Sequence, residues 1–189
     1  MKNVIDWRWK ICEAIERLQR DYDYIGRNTG APFLSIIYPH EDEIQVYKEW
    51  NALTEVLIKY DVKTIDVLDI TMSVVDEIGV STIVDMIINP MPGSNPENDL
   101  ANEWVSLIVK TVRENATSQG DKKPIIVIKN LAALYPVTGP HTIMQKLWDT
   151  EQSSLNCPVV LLIPGTLKEP RVYSFVNKRE EFMYRGDAL

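Results

Sequence analysis

The sequence is poor in the residues that redox and metal chemistry use. It has two cysteines, Cys12 and Cys157, in no Cys-x-x-Cys pair, and two histidines, His40 and His141, in no paired-His or HExxH spacing. That argues against a disulfide scaffold, a structural zinc site and a zincin-type centre. Positive charge is also short: 20 Lys and Arg against 27 Asp and Glu leave a net charge of −7. Non-specific binding to a polyphosphate backbone, which needs clustered cations, is therefore disfavoured, and no direct nucleic-acid contact is expected. No apolar run approaches the roughly 18 residues of a membrane span, and the start, MKNVIDWRWKICEAIERL, lacks a signal-peptide core. The expectation is a protein of the reducing cytoplasm, neither secreted nor membrane-embedded. Internal repeats and low-complexity tracts are missing too, which argues against solenoids and disorder.

What is present suits one globular domain. The chain has 189 residues, 45 % of them hydrophobic and 25 % charged, enough to bury one core. Residues 3 to 22 place Val4, Trp7, Ile11, Ala14, Ile15 and Leu18 at helical spacing. FLSIIY (33 to 38) is a buried strand stopped by Pro39, and a helix follows from Asp42 to Tyr60 with carboxylates in its first turn. KTIDVLDI (63 to 70) predicts a second strand, with Thr71 or Ser73 capping a helix to Ile88 that Gly79 splits. The Pro, Gly, Ser and Asn of residues 89 to 98 predict an exposed loop, ahead of a long amphipathic helix from 98 to 117. PIIVIKNL (124 to 131) and CPVVLLIPG (157 to 165) predict two more strands around a helix from 141 to 150, with short β-like pieces near 172 to 176 and 182 to 185. Continuous aliphatic strands separated by helices imply a mainly parallel sheet covered on both faces. The expected fold is α/β, a three-layer sandwich resembling a degenerate P-loop or Rossmann-like domain. It comprises an N-terminal helical segment (1 to 30), a sheet core (31 to 176) and a C-terminal tail (177 to 189).

Such a sheet keeps its site at the carboxyl ends of the strands. A phosphate-binding loop there would read GxxxxGK[ST], with glycines for backbone approach, a lysine for charge and a hydroxyl for magnesium. The segment YPHEDEIQ after the first strand has none of these, and sets Glu41, Asp42 and Glu43 where an anion would bind. The strand PIIVIKN ends in Lys129 and Asn130 rather than a magnesium-holding carboxylate. No metal and no cofactor is expected. His40 beside three carboxylates reads as solvated surface, His141 as part of a helix start, and both cysteines as packing residues. Of Asp66 and Asp69, Asp69 is the better functional candidate at a strand end, against capping of the next helix.

IIVIKNLAALYPVTGPHTIMQKLW followed by CPVVLLIPG resembles the BrxB family, the small component of bacterial BREX phage-exclusion systems. The front half, FLSIIYPHEDEIQVYKEWNALTEVL, is similar to that family's strand, Tyr-x-Pro-type turn and acidic helix start. The residues that carry the likeness are Tyr38, Pro39, Tyr135, Pro136, His141, Pro164 and Gly165, with Asp69 added as a strand-end candidate. The family pattern commonly has glycine at Asn130 and arginine at Gly139, so the sequence departs from it at both. The resemblance implies a non-catalytic adaptor in a defence assembly. Its candidate partners are the PglZ-like phosphatase-fold protein, the large ATPase or the methyltransferase of that system.

Candidate interface residues are Trp7 and Trp9, two apart on one helix and so unable to share one core stripe, and the basic, aromatic tail of Lys178, Arg179, Phe182, Tyr184 and Arg185. That tail either adds to a partner's sheet or forms an edge strand of its own. An alternative reading is a nucleotide- or single-strand-binding module that stacks bases on Tyr38 or Tyr135 at the strand-end loops. A metal-dependent nuclease would need converging carboxylates and a lysine, and no such cluster stands in the linear sequence.

Overall fold

The computed structural model describes residues 7–25, 30–117, 120–151, 155–183 and 185–189. Val4 and Tyr184 lie outside the described residues.

The aliphatic runs form the expected parallel strands. β1 (Phe33–Tyr38) is buried along its whole length, β3 (Lys123–Lys129) from Ile125 to Ile128, and β4 (Val159–Glu169) from Val159 to Gly165. With β2 (Tyr60–Asp66) and the short β7 (Asp187–Ala188) they make a parallel sheet in the order β2-β3-β4-β1-β7. Strands buried on both faces need no polar alternation, and each enclosed Val, Leu or Ile contributes roughly 1.5–3 kcal/mol.

The chain leaves β1 for the far edge and then returns strand by strand, so its crossovers run in opposite senses. Right-handed connections therefore put α2 (Glu43–Thr54) on one face, and α3 (Val67–Ile78), α4 (Val80–Ile88), α5 (Pro96–Asn115) and α6 (Pro140–Glu151) on the other. α1 (Trp7–Arg20) packs on α2 and β1, while α3, α4 and α5 pack on one another and α5 on α6. The result is a three-layer α/β sandwich with a mainly parallel sheet. No helix among the described residues is long and apolar enough to cross a membrane.

Several boundaries differ from the sequence reading. The strand expected over 63 to 70 is β2 and ends at Asp66, whose carboxylate accepts from Leu68 N at 3.0 Å and caps α3. Thr71 and Ser73 instead bond back to Leu68 O and Ile70 O inside that helix. Asp69 is thus an exposed residue of the first helical turn, not a strand end. Gly79 separates α3 from α4 with φ 88°, and α5 begins two residues early because Asn95 caps it with Pro96 at its first position.

β4 is longer than expected. Beyond Pro164 it turns out of the parallel sheet and pairs antiparallel with β5 (Val172–Phe175), which pairs with β6 (Arg179–Phe182). Gly165 permits the change of partner: a Cβ there would stand 2.2 Å from the carbonyl oxygen of Ser174. The β-like piece expected at 182 to 185 lies earlier, as β6, and the chain then returns to the main sheet, where Leu189 N donates to Ser35 O at 2.9 Å.

Candidate functional site at the strand ends

The end of β1 is occupied by groups of this chain. Tyr38 stands in register with Pro164 of β4, and Pro39 leads into a single 3-10 turn, His40–Asp42, that starts α2. Over this turn Trp7 Nε1 donates to Asp42 Oδ2 at 3.0 Å, and Lys10 Nζ donates to Ile37 O at 2.8 Å. From the other side, Asn177 in the β5–β6 turn lies 3.2 Å from His40 Nδ1 and accepts from Thr166 Oγ1 at 2.7 Å. That turn holds Val176 at φ 45° and Asn177 at φ 56°, left-handed values that a β-branched valine rarely adopts. In a phosphate-binding enzyme this position belongs to the ligand and its backbone cradle. Here it holds carboxylates, an indole and a hairpin tip.

A polar network links the ends of β1, β2 and β3. Asn130, just past β3, takes φ 56° and donates from Nδ2 to both oxygens of Asp66 at 2.8 Å. Lys129 Nζ completes the cluster 3.0 Å from Asp66 Oδ2. Asn130 N donates to Tyr47 OH at 2.8 Å, the Tyr47 and Tyr38 hydroxyls lie 3.3 Å apart, and Tyr38 OH donates to Glu43 Oε2 at 2.9 Å. Burial alone would raise the Asp66 carboxyl, but hydrogen bonds from Asn130 and Lys129, with the Lys129 charge, hold it below the ordinary range. Burial drives Tyr38 far above a normal phenol and Tyr47 up to about 12. Both phenols therefore stay protonated at neutral pH, as donors and braces.

A second cluster lies where α6 meets β6. Pro140 opens the helix, and the buried carboxylate of Glu181 accepts from His141 N at 3.0 Å and from Tyr173 OH at 2.6 Å. A carboxylate at a helix N-terminus satisfies an orphan N–H and meets the positive end of the dipole. Glu181 Oε1 lies 3.5 Å from Arg179 Nε and directly against Gly139, where a Cβ would sit 1.8 Å from it. His141 Nδ1 is 2.7 Å from Phe182 O. A carbonyl only accepts, so the proton is on Nδ1. A groove of about 470 Å³ adjoins His141 and Phe182, lined also by Met144, Trp148, Asp149 and Arg185.

The residues singled out from sequence thus fall into separate places. Tyr38, Pro39 and Pro164 meet at the end of β1, with Gly165 just beyond. Tyr38 is fully buried and offers no face for a base. Tyr135 and Pro136, joined by a cis peptide bond, are exposed after the 3-10 turn Leu131–Leu134. Trp7 is buried and Trp9 is 59 % exposed. Lys178 sits in the β5–β6 turn, Arg179 and Phe182 are in β6, and Arg185 lies 4.3 Å over the Trp148 ring, so the tail is folded onto its own domain. Cys157 is buried as expected, whereas Cys12 is exposed and is not a packing residue. Among the described residues no group of three or more His, Cys, Asp or Glu is placed to hold a metal ion.

Tyr47, Lys10 and Glu181 are not among the residues the sequence singles out, and Asp66, ranked there below Asp69, is the one that joins the network. Asp66 carried a local signal, being an N-cap type just ahead of a helical period, but Lys10 and Glu181 are explained only by contacts across the fold. No family model matches the chain, and no curated protein is significantly similar to it.

Proposed function

We propose that this protein is a non-catalytic adaptor of a bacterial phage-exclusion assembly of the BREX type, acting by binding another component of that system. The observation that carries the non-catalytic half is the β1 end, where Trp7, Asp42, Glu43 and the Asn177 turn occupy the place a nucleotide phosphate would take. The resemblance of the 125 to 165 segment to the BrxB family supports the assembly half. Of the two tyrosines on which a nucleic-acid module could stack bases, Tyr38 is buried in the core and Tyr135 is exposed.

The test is co-expression with the products of neighbouring genes, followed by size-exclusion chromatography with light scattering and an ATPase assay on the isolated chain. A discrete heterocomplex and no hydrolysis are expected. A chain that elutes alone under all salt conditions removes the adaptor reading, and turnover of ATP removes the non-catalytic one.

A further inference from the structure

The segment between Lys63 and Lys110 contains no Lys, Arg or His, yet carries eight carboxylates, so it alone accounts for the chain's net charge of −7. The rest of the chain is close to neutral. This segment builds the end of β2, α3, α4, the loop after α4 and α5 as far as Val109; of its carboxylates Asp66 is paired with Lys129, which leaves seven on α3, α4 and α5.

The same region carries eight of the fifteen exposed large hydrophobic side chains of the described residues. α4 has no buried residue, although six of its nine are Val, Ile or Met. Val80, Val84, Ile87, Ile88 and, beyond the helix, Met91 follow helical spacing, with Ile88 69 % and Met91 76 % exposed. Leu68 and Met72 are also exposed, on α3. Between α4 and α5 runs a groove of about 280 Å³ with Ile83, Met86, Ile87 and Leu100 in its walls and Asp99 and Glu103 among its lining residues. Exposed apolar side chains clustered on one helix beside a groove favour a binding surface, and methionine adapts such a surface to a helical ligand.

We propose that the α3–α5 face docks an amphipathic, cationic helix of a partner protein, its apolar stripe on α4 and the adjoining groove, its Lys and Arg against the carboxylates around them. The inference rests on the adaptor reading in supposing a protein partner, and adds its chemistry and its place. Charge selects this occupant. A second copy meeting the same face would bring like charges together, and an anionic lipid surface would be repelled. A basic helix gains on both counts, burying apolar side chains at i, i+3, i+4 and i+7 while its cations find opposite charge.

The probe is a fluorescent synthetic helix of about 18 residues with Leu along one face and Lys on the other, titrated into the full chain. Saturable one-to-one binding is expected, weakening roughly tenfold between about 50 and 300 mM salt, with methyl NMR shifts at Met72, Met86 and Met91. Val84→Asp, Ile88→Asp and the pair Asp99→Lys, Glu103→Lys should each weaken it about tenfold or more. Their side chains lie on the surface, and circular dichroism checks that the variants fold. The proposal is overturned if a Leu/Glu helix binds equally well, or if a Lys/Ser peptide without the apolar face does. It is also overturned if the unmodified chain self-associates in sedimentation and Ile88→Asp abolishes that, or if anionic vesicles capture the chain through α4. Co-purification with a neighbouring gene product that survives all these variants leaves the adaptor reading standing and removes this surface. Specific peptide binding without any co-purifying partner does the reverse.

Discussion

The side-chain amide of Asn130 reaches both carboxylate oxygens of Asp66 at 2.8 Å, tying the end of β3 to the end of β2. Asn130 does so from a left-handed backbone, φ 56°, a conformation that asparagine and glycine tolerate and most residues do not. Two replacements separate these roles. Asn130→Gly keeps the backbone and loses the amide, whereas Asn130→Ala loses the amide and adds left-handed strain of about 1 kcal/mol. Urea unfolding should rank the alanine variant below the glycine variant, and equal stabilities would show that the backbone value is not a constraint.

The depressed Asp66 carboxyl has a consequence in acid. A folded-state value below the unfolded one means stability that is present above about pH 4 and lost as the pH falls through the folded value. Asp66→Asn retains an acceptor for Leu68 N but no longer titrates. Its urea midpoint should therefore fall less steeply than that of the unmodified chain between about pH 5 and 2. Parallel curves would remove Asp66 from the acid transition.

Gly139→Ala places a methyl where Glu181 Oε1 now sits, 1.8 Å from the ideal Cβ. The carboxylate must move, giving up its bonds to His141 N and Tyr173 OH, at a cost on the order of 2 kcal/mol or more. Combining the change with Glu181→Ala checks the cause. The Gly139→Ala penalty should shrink in that background, and an unchanged penalty would locate the clash elsewhere.

Cys12 is exposed on α1, whereas Cys157 is buried, and burial pushes its thiol up to about 11. A thiol reagent at pH 8 should therefore label one equivalent in the native protein and two in urea. Two equivalents in the native state would mean that the segment leading into β4, which carries Cys157, opens readily.

The sequence foretold the strands better than the site because the two rest on different kinds of information. FLSIIY, PIIVIK and PVVLLI are runs whose only stable environment is a sheet covered on both faces, so β1, β3 and most of β4 were legible locally. β2 was misplaced because Thr64 and Asp66 flank its one buried residue, Ile65, and its last residue is also a helix cap. Asp69 was chosen over Asp66 for that reason. Lys10 lies between the apolar residues of its helix in the sequence, and is buried because the carbonyl of Ile37 accepts from its ammonium group 27 positions away. Glu181 lies in a stretch that reads as a charged tail until β5 and Gly139 close around it.

The pairing of β1 sets the timetable on which this chain is completed. Its ladder partners are β4 and β7, and 120 residues separate Tyr38 from Val159. At the usual pace of synthesis, about 5–20 residues per second, the six-residue apolar strand leaves the ribosome roughly 6–24 s before its first partner exists. In that interval α1 and α2 can form locally but have no sheet to cover. The strand made first is thus paired among the last, and a nascent chain stalled before β4 leaves β1 without a ladder partner.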